Sequence, residues 1–346
     1  MKLAVAGHPL HTRSLTVTIR EDESEAYAID AAVLDLRKCG FIPVAGFLQP
    51  AGIVHHMTLD ASLDPATRVF KTFSGAQPTK AFAPSKLTAG ECCSDPLPLL
   101  GELAGVPLDD CFARALGRVF GGRRGCSHLV TLAQLLAPSV MTSLEWNEAR
   151  CQDGHRRRPG DRIFHRAVDV DGYELENGQV QLAIQLTDIH FVGAPEVAIP
   201  MDHFGSETEV RVNATVDLSD GMSITHISGA QRTRDYDGLE AAEFAACTDE
   251  LEFLNGQSAI RGISQRVLGE FGEASASRPL RDALLMLAPA FVQCLASLSD
   301  RWPIEAKANP SLLGICGRAD SCYMWRDGGP VAIAGQEWDI TSREDS

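Results

Sequence analysis

Hydrophobic and polar residues alternate along four segments in the first quarter of the chain. The segments cover residues 15–19, 27–36, 57–63 and 68–73, and a polar stretch at 20–25 separates the first two. Alternation with a period of two places one face of a strand against a core and the other face in solvent. The pattern therefore predicts four half-buried strands in an antiparallel meander.

Helical spacing replaces this alternation after the fourth segment. Apolar residues then recur three or four positions apart, which is the spacing of one face of an α-helix. The sequence therefore predicts that helices follow the strands. The apolar positions are Leu97, Leu100, Leu103, Phe112, Leu116, Val119, Phe120, Leu129, Leu132 and Leu136.

The same order occurs again about 150 residues later. Strand-like alternation covers residues 167–170, 180–189, 210–218 and 222–227, and helical spacing follows it from Leu251 onward. Since strands and helices are separated along the chain in both places, the fold class is predicted to be α+β.

Short sequence matches indicate that the second half is a copy of the first. Ser74-Gly75-Ala76-Gln77 reappears as Ser228-Gly229-Ala230-Gln231, 154 residues on. Equal spacing between separate matches predicts a tandem duplication and a pseudo-two-fold body. Further matches at nearly the same offset are Arg13 with Arg166, Asp35 with Asp188, Asp64 with Asp217, and Leu135-Leu136-Ala137-Pro138 with Met286-Leu287-Ala288-Pro289.

The matches define the expected organisation of the chain. Residues 1–152 form the first repeat unit, 153–303 the second, and 304–346 a C-terminal extension. Each unit has four antiparallel strands followed by helices. Pro138 and Pro289 are at equivalent positions inside helical stretches and are expected to kink or break the last helix of each unit.

Composition and charge exclude several classes of partner. The chain has 31 basic and 46 acidic residues and a formal net charge of -15, which opposes binding to nucleic acid. We find neither a secretory signal at the N-terminus nor an apolar stretch of membrane-spanning length, so we expect a soluble, cytoplasmic protein with no membrane partner. The ten cysteines lack regular spacing and are interpreted as reduced thiols. The oligomeric state is left open, and a homo-oligomer is one option.

The first candidate site is the pair His55-His56 at the start of the third predicted strand. Adjacent strand residues face opposite sides, so one of the two histidines can point into a given pocket. We favour His56 as the catalytic residue and assign His55 to substrate binding. The alternative is that both are ordinary polar residues at a strand start.

The second candidate is Gly125-Cys126-Ser127-His128-Leu129, before a predicted helix. His128 would lie in the first helical turn, where the helix dipole lowers the pKa of an imidazole and leaves it a neutral base. The second unit has Ser277-Arg278-Pro279-Leu280 instead, so packing alone does not require Cys126 or His128. We assign His128 to catalysis and Cys126 to substrate binding, with a nucleophilic Cys126 as an alternative.

The third candidate is Asp188 with His190. Residues two apart on a strand share a face, and a carboxylate beside an imidazole suits acid-base catalysis. A structural polar pair would have the same sequence. Tyr173 and His203 are weaker candidates for substrate binding.

Two apolar loops occupy equivalent places in the two units, at residues 40–53 and 191–204. Both contain glycine and proline, and we expect them to close over an uncharged or aromatic substrate. Phe47 and Phe204 are therefore predicted to bind substrate. Packing of these loops against the core is the alternative.

No cofactor and no metal is predicted. The spacing of the histidines and cysteines matches no known zinc-ligand repeat, although a zinc site is kept as an alternative. The chain also lacks a dinucleotide-binding fingerprint and a phosphate-binding loop.

Several of these motifs together resemble a bacterial family of unknown function whose signature is Gly-Cys-Thr-His-Leu. Its members often occur among genes for aromatic catabolism. The family pattern has His-Asp-Met where this chain has His-His-Met. The motifs that carry the resemblance are residues 93–129 with Gly-Cys-Ser-His-Leu at their end, His-His-Met at 55–57, Leu-Thr-Asp at 186–188 and Asp320-Ser321-Cys322-Tyr323.

The resemblance implies a cofactor-independent lyase that cleaves a carbon-carbon bond of a lignin-type aromatic compound and releases formaldehyde. The small aromatic substrate would be the principal partner. The alternatives are a hydratase or hydrolase of an aromatic or acyl substrate, which needs the same acid-base groups, and a small-molecule binding protein without catalysis.

Overall fold

The fold of the chain was derived from a computed structural model. The model describes residues 7–24, 26–44, 47–150, 157–192, 204–235, 242–272, 277–298 and 320–335.

The four strands expected in the first half are present and antiparallel. Each is longer than the alternating segment that predicted it, because flanking residues at one or both ends continue the pairing. In the first strand Leu15, Val17 and Ile19 are fully buried, as the alternation predicts. The strands are β1 (His8–Glu21), β2 (Tyr27–Arg37), β5 (Gly52–Asp64) and β6 (Val69–Thr79).

The connection between β2 and β5 contains a small hairpin. Strands β3 (Phe41–Val44) and β4 (Phe47–Gln49) pair with each other in a two-stranded ladder. The sequence analysis treated residues 40–53 as a loop, and the structure corrects this. Aromatic and β-branched residues in the two short segments favour extended backbone, which allows them to pair.

The helices of the first half follow the strands as expected. A 3-10 helix spans Leu97–Leu103, α1 spans Asp110–Phe120 and α2 spans Ser127–Arg150. The carboxylate of Asp109 accepts the backbone N–H of Cys111 and caps the start of α1. Buried leucines and phenylalanines at the predicted positions turn these helices toward the sheet.

The second half repeats this order of elements. A two-residue strand, β11 (Ala245–Ala246), adds to its edge. Its other strands are β7 (Arg162–Glu174), β8 (Val180–Phe191), β9 (Phe204–Asp217) and β10 (Ser223–Asp235), and its helices are a 3-10 helix at Asp249–Leu254, α3 (Ile263–Phe271), α4 (Arg278–Leu285) and α5 (Leu287–Ser297).

All strands except β3 and β4 join one nine-stranded antiparallel sheet, in the order β11-β10-β9-β8-β7-β1-β2-β5-β6. The halves meet where β1 pairs with β7. Leu15 pairs with Val168, and on either side of this pair Arg13 faces Val170 while Arg166 faces Val17. The two expected units therefore share a sheet.

The helices pack on one face of this sheet and enclose a hydrophobic core drawn from both halves. The opposite face carries polar, half-buried residues such as Thr12 and Ser14 on β1. A sheet with one face covered by helices and strands segregated from helices is an α+β fold, as predicted.

The two equivalent prolines have different effects. α2 runs through Pro138, and the Ser139 hydroxyl donates to the carbonyl of Leu135 at 2.7 Å. In the second half α4 ends at Leu285 and α5 begins at Leu287, so Pro289 lies in the first turn of α5, where a helix needs no backbone N–H. The expected break is present in the second half, whereas α2 remains one helix.

Within the described part of the chain, one stretch, residues 278–297, is long and apolar enough to span a membrane by length and composition, with a mean hydropathy of 1.3. It comprises α4 and α5, and 78% of it is buried against the rest of the fold. Burial of this kind is typical of a core helix in a soluble protein.

Residues 320–335 of the C-terminal extension pack beside the β3–β4 hairpin. Met324 and Val331 form a second small cluster with Phe82. The backbone N–H of Tyr323 donates to the carbonyl of Gly125 at 2.7 Å. This segment thus supports the loop that leads into α2.

Candidate functional site

A fully buried carboxylate, Asp35, lies at the centre of a group of basic side chains. On β2, Asp35 is directly opposite Arg13 of β1 and His55 of β5. Residues opposite each other on neighbouring strands share a face, and this face is the one that the helices cover. Arg13 donates to both carboxylate oxygens, from Nε to Oδ1 at 2.8 Å and from Nη2 to Oδ2 at 3.0 Å.

Three imidazoles contact the same carboxylate. His11 Nε2 is 3.2 Å from Oδ1, His55 Nδ1 is 3.1 Å from Oδ2, and His128 Nε2 is 3.3 Å from Oδ2. The rings of His55 and His128 pack together with centroids 3.9 Å apart. We name His11, Arg13, Asp35, His55 and His128 the Asp35 cluster.

Local sequence brings His128 to the sheet. A Cβ atom at Gly125 would lie 2.2 Å from the carbonyl oxygen of Phe120, so only glycine allows the chain to turn back so closely after α1. The turn starts α2 beside the sheet, with His128 in its first turn. His11 reaches the cluster because it is two residues before Arg13 on the same face of β1.

Asp35 and Arg13 form a buried pair of opposite charges at the centre of the cluster. Burial opposes ionisation of Asp35, but Arg13 and hydrogen bonds from His11 and His55 hold its pKa well below the usual value. Burial lowers the pKa of His11, and burial and the neighbouring His55 lower that of His128 well below 6.5. The site therefore holds one anion, one cation and neutral imidazoles at these two positions. The sequence analysis predicted that the pKa of His128 is lowered, and this direction is confirmed. The main cause is burial rather than the helix dipole.

The hydrogen bonds leave one ring nitrogen of His55 available for proton transfer. When Nδ1 donates to Asp35, Nε2 carries the lone pair of the neutral ring and can accept a proton. The side chain of His11 is fully buried, whereas those of His55 and His128 are 9% and 14% exposed. A substrate would therefore reach the cluster at His55 and His128.

His128 also contacts Cys126 and the second half of the chain. Cys126 Sγ is 3.8 Å from His128 Nδ1 and 3.6 Å from Met57 Sδ. Burial raises the pKa of the Cys126 thiol to about 12, which keeps it protonated at neutral pH and argues against the nucleophile alternative. On its other side, His128 Nε2 is 3.2 Å from Nε2 of Gln293 on α5.

Part of the cluster has the composition of a metal site. Ligand atoms of Asp35, His55 and His128 lie within 4.8 Å of one another. Two histidines and a carboxylate can bind a divalent transition metal. Arg13 already donates to both oxygens of Asp35, however, so a metal ion would be close to a buried guanidinium. This repulsion opposes metal binding at the cluster.

The corresponding place in the second half has different side chains. Arg166 donates to both oxygens of Asp188, each at 2.6 Å, and also to Asp282 at 2.6 Å. Burial raises the pKa of Asp188 although Arg166 opposes the shift. Phe164 and Thr208 occupy the positions that match His11 and His55. The buried ion pair is thus present in both halves, and the three-histidine arrangement belongs to the first.

His190 lies in this second region. Its ring stacks on Trp146, with centroids 4.8 Å apart, and packs against Phe164 at 4.9 Å. Asp35 and Asp188 are three strands apart in the sheet, which is about 14 Å across it. They are also offset by four residues along the strand direction, which is about 13 Å. The structure therefore does not bring Asp188 and His190 together with His55 and His128.

The other candidate residues are dispersed. His56 and Tyr173 are half-buried and alternate with residues that face the helices, so both lie on the opposite face of the sheet. Phe47 stacks on Phe82 at 5.3 Å beside the C-terminal segment, and Phe204 packs on Phe191 at 5.4 Å in the second half. His203 lies outside the described residues.

The sequence analysis did not predict the ion pair of Arg13 and Asp35 at the centre of the site. It noted Arg13 and Asp35 only as matches to Arg166 and Asp188, and it did not name His11 or Gln293. A comparison of the two halves at the register of β1 and β7 would have found His11, since the matching residue is Phe164. The sequence contains no comparable signal for Gln293, which reaches His128 through helix packing.

The part of the chain that holds the cluster also matches a known family. Residues 11–142 match the model of a family described as "Protein of unknown function (DUF2889)". A DUF2889 domain covers residues 11–142. The DUF2889 domain contains all five residues of the Asp35 cluster, whereas Gln293 lies beyond it. The searches of curated proteins and of solved structures found no match to the chain.

Proposed function

We propose that the chain is a lyase that uses the Asp35 cluster for acid-base catalysis, without a cofactor, on a small aromatic substrate. One observation carries the proposal: three imidazoles surround a buried carboxylate in the first half, while Arg166 and Asp282 surround its counterpart in the second. The buried ion pair is present in both halves, so the fold common to both halves includes it without the histidines. The additional histidines indicate a chemical role.

The geometry supports a reaction in which one residue accepts a proton from the substrate and later donates it back to the product. In the proposed step, His55 Nε2 removes the proton of a primary hydroxyl group on the substrate. The carbon-carbon bond then breaks and formaldehyde leaves. The electron pair of the broken bond stays on the remaining substrate carbon, where a conjugated ring stabilises the negative charge. Protonated His55 returns the proton to that carbon. The reaction is redox-neutral, and Asp35 stabilises the transient imidazolium.

The aromatic substrate and the release of formaldehyde come from the sequence resemblance. The pairing of Asp35 with Arg13 supports an uncharged substrate, because a buried charge without a partner would be costly. We also place the protein in the cytoplasm, in agreement with the eight free cysteines among the described residues.

We further infer that the chain arose by tandem duplication of one unit and has a pseudo-two-fold axis. The register of β1 with β7 supports this inference, because it is symmetric about the pair Leu15 and Val168. The same buried ion pair at Arg13 and Arg166 supports it as well. Loss of histidines from one unit would leave a single catalytic site.

A hydratase or hydrolase is the second candidate, supported by the metal-like spacing of Asp35, His55 and His128. A bound divalent metal would activate a water molecule in such an enzyme. The two candidates differ in their products and in their response to chelators.

The test is incubation of the purified protein with lignin-derived aromatic dimers that carry a primary alcohol. We expect formaldehyde in equal amount to the shortened aromatic product, with turnover that survives EDTA and is lost in His55→Gln. Addition of water to the substrate, or loss of turnover in EDTA with recovery on zinc, would support the second candidate. Saturable binding without conversion would contradict both.

A further inference from the structure

A groove runs between the helices of the two halves on the face of the sheet that holds the Asp35 cluster. Its volume is about 610 Å³, within the range of roughly 300–1,000 Å³ that is usual for small-molecule pockets. α1 and α2 form one wall, and α3, α4 and the start of α5 form the other. Most lining side chains are apolar, including Phe112, Leu116, Met141, Leu285 and Pro289.

Two of the helices that line the groove, α2 and α5, lead to the Asp35 cluster. On α2, Thr131 and Leu135 line the groove, and His128 precedes Thr131 by three residues on the same face. On α5, Pro289 lines the groove, and Gln293 follows four residues later on the same face. The two faces meet where His128 Nε2 is 3.2 Å from Gln293 Nε2. The groove therefore ends about one helical turn from the cluster, roughly 5 Å.

The charged residues of the groove have partners within the protein. Arg278 forms two hydrogen bonds to Glu145, and Arg281 forms two to Asp282. The remaining charged residue of the lining is Asp109, which caps α1. Among the described residues, the lining thus contains three acids and two paired arginines, and these residues offer no cation to a ligand carboxylate.

One polar atom lies about one helical turn beyond the end of the groove, four residues after Pro289 on α5, and is suited to a ligand. Gln293 Oε1 is buried and has no hydrogen-bond partner among the described residues. A buried carbonyl oxygen without a donor is costly, and a ligand hydroxyl would satisfy it.

We infer that this groove is the substrate site of the proposed lyase, and that its substrate is a neutral molecule with an apolar, aromatic-sized body and, besides the reacting alcohol, a hydroxyl group that donates to Gln293 Oε1. The inference rests on the proposed function for the reaction, but binding can be measured without turnover. It makes Gln293 a positioning residue, which holds the hydroxyl end of the substrate near His128 and His55.

The first experiment measures binding of 4-phenylphenol by equilibrium dialysis. We expect saturable binding of one molecule per chain, and a loss of affinity of at least about tenfold in Ala113→Trp, which fills the groove from an exposed position of α1. Arg114→Trp is the matched control, because Arg114 is the next residue of α1, is exposed and lies outside the groove lining. Biphenyl-4-carboxylate should bind about tenfold more weakly than the phenol.

The second experiment tests Gln293 with 4-methoxybiphenyl, which lacks the hydroxyl donor. The wild-type protein should prefer the phenol to this ether by about tenfold, and Gln293→Met should remove the preference. With a turnover substrate, Gln293→Met should raise KM more than it lowers kcat.

Several outcomes would overturn the inference: equal binding by Ala113→Trp and wild type, tighter binding of the carboxylate, or a preference for the phenol that survives in Gln293→Met. If the wild-type protein is a dimer and Ala113→Trp is a monomer, the groove would instead be the binding site of a second copy of the chain. Phenol binding that meets these expectations, together with normal turnover in His55→Gln, would overturn the proposed mechanism and leave the groove assignment intact.

Discussion

Arg13 holds Asp35 through both carboxylate oxygens, and neither side chain has more than a trace of solvent exposure. Arg166 holds Asp188 in the same way, but it has Asp282 as a second acidic partner. The two ion pairs occupy matching places in the sheet. Removal of the Asp188 carboxylate would leave Arg166 paired with Asp282, whereas removal of the Asp35 carboxylate would leave Arg13 without an acidic partner among the contacts described above.

Asp35→Asn should destabilise the protein strongly, because it leaves the buried guanidinium of Arg13 without its anion. Breaking a buried pair in this way costs about 3–5 kcal/mol. Asp188→Asn should cost less, since Arg166 keeps Asp282. Urea unfolding of both variants measures the difference. A larger loss for Asp188→Asn would contradict the proposed roles of the two pairs.

His55→Gln should lower turnover by at least about 100-fold, the usual contribution of a general base, and should leave the fold intact. His56→Gln is the matched control, because His56 is the next residue of β5 and faces away from the cluster. We expect its rate to stay within about twofold of the wild type. The assay is the release of formaldehyde. Similar losses in both variants would exclude a specific role for His55.

Acidification should destabilise the protein as the pH falls below about 6.5, the ordinary pKa of the histidines. Because the folded pKa values of His11 and His128 lie below this value, the unfolded chain takes up protons first. These two histidines therefore cost the protein no stability above pH 6.5. Below it, the free energy of unfolding decreases by up to about 1.4 kcal/mol per pH unit for each histidine.

His11→Phe tests this pH dependence, since phenylalanine is the residue at the matching position in the second half. The variant should show a shallower loss of unfolding free energy between about pH 6.5 and pH 5. Urea titrations at several pH values measure the slope. The same slope in the variant and the wild type would show that His11 does not contribute.

Cys126 should resist alkylation in the native protein at neutral pH, because its thiol is buried and its pKa is raised to about 12. Cys111 is exposed and provides the internal control. Peptide mass spectrometry after treatment with iodoacetamide should find Cys111 modified well before Cys126. Preferential labelling of Cys126 would instead revive its role as a nucleophile.

Periodicity was sufficient to predict the eight main strands and the positions of the helices. Alternation at residues 15–19 identifies the buried face of β1, for example, and three- or four-residue spacing identifies α1 and α2. These patterns are local, and each can be recognised within one element. The hairpin of β3 and β4 was missed because its strands have four and three residues, too few for a clear period.

The site depends on contacts between distant elements, which periodicity does not contain. Asp35 meets His55 through the pairing of β2 with β5, and it meets His128 because α2 packs on that face. A change of one residue in strand register would reverse which of His55 and His56 faces the helices. The sequence analysis favoured His56 without information on register, whereas the structure places His55 in the cluster.

The symmetric pairing of β1 with β7 has a consequence for proteins that contain only one such unit. Alone, a unit would leave β1 as an unprotected edge strand with a buried hydrophobic face. A second molecule could cover that edge in the same antiparallel register, with Leu15 opposite its own counterpart. We therefore expect free-standing units to be obligate homodimers with two equivalent clusters.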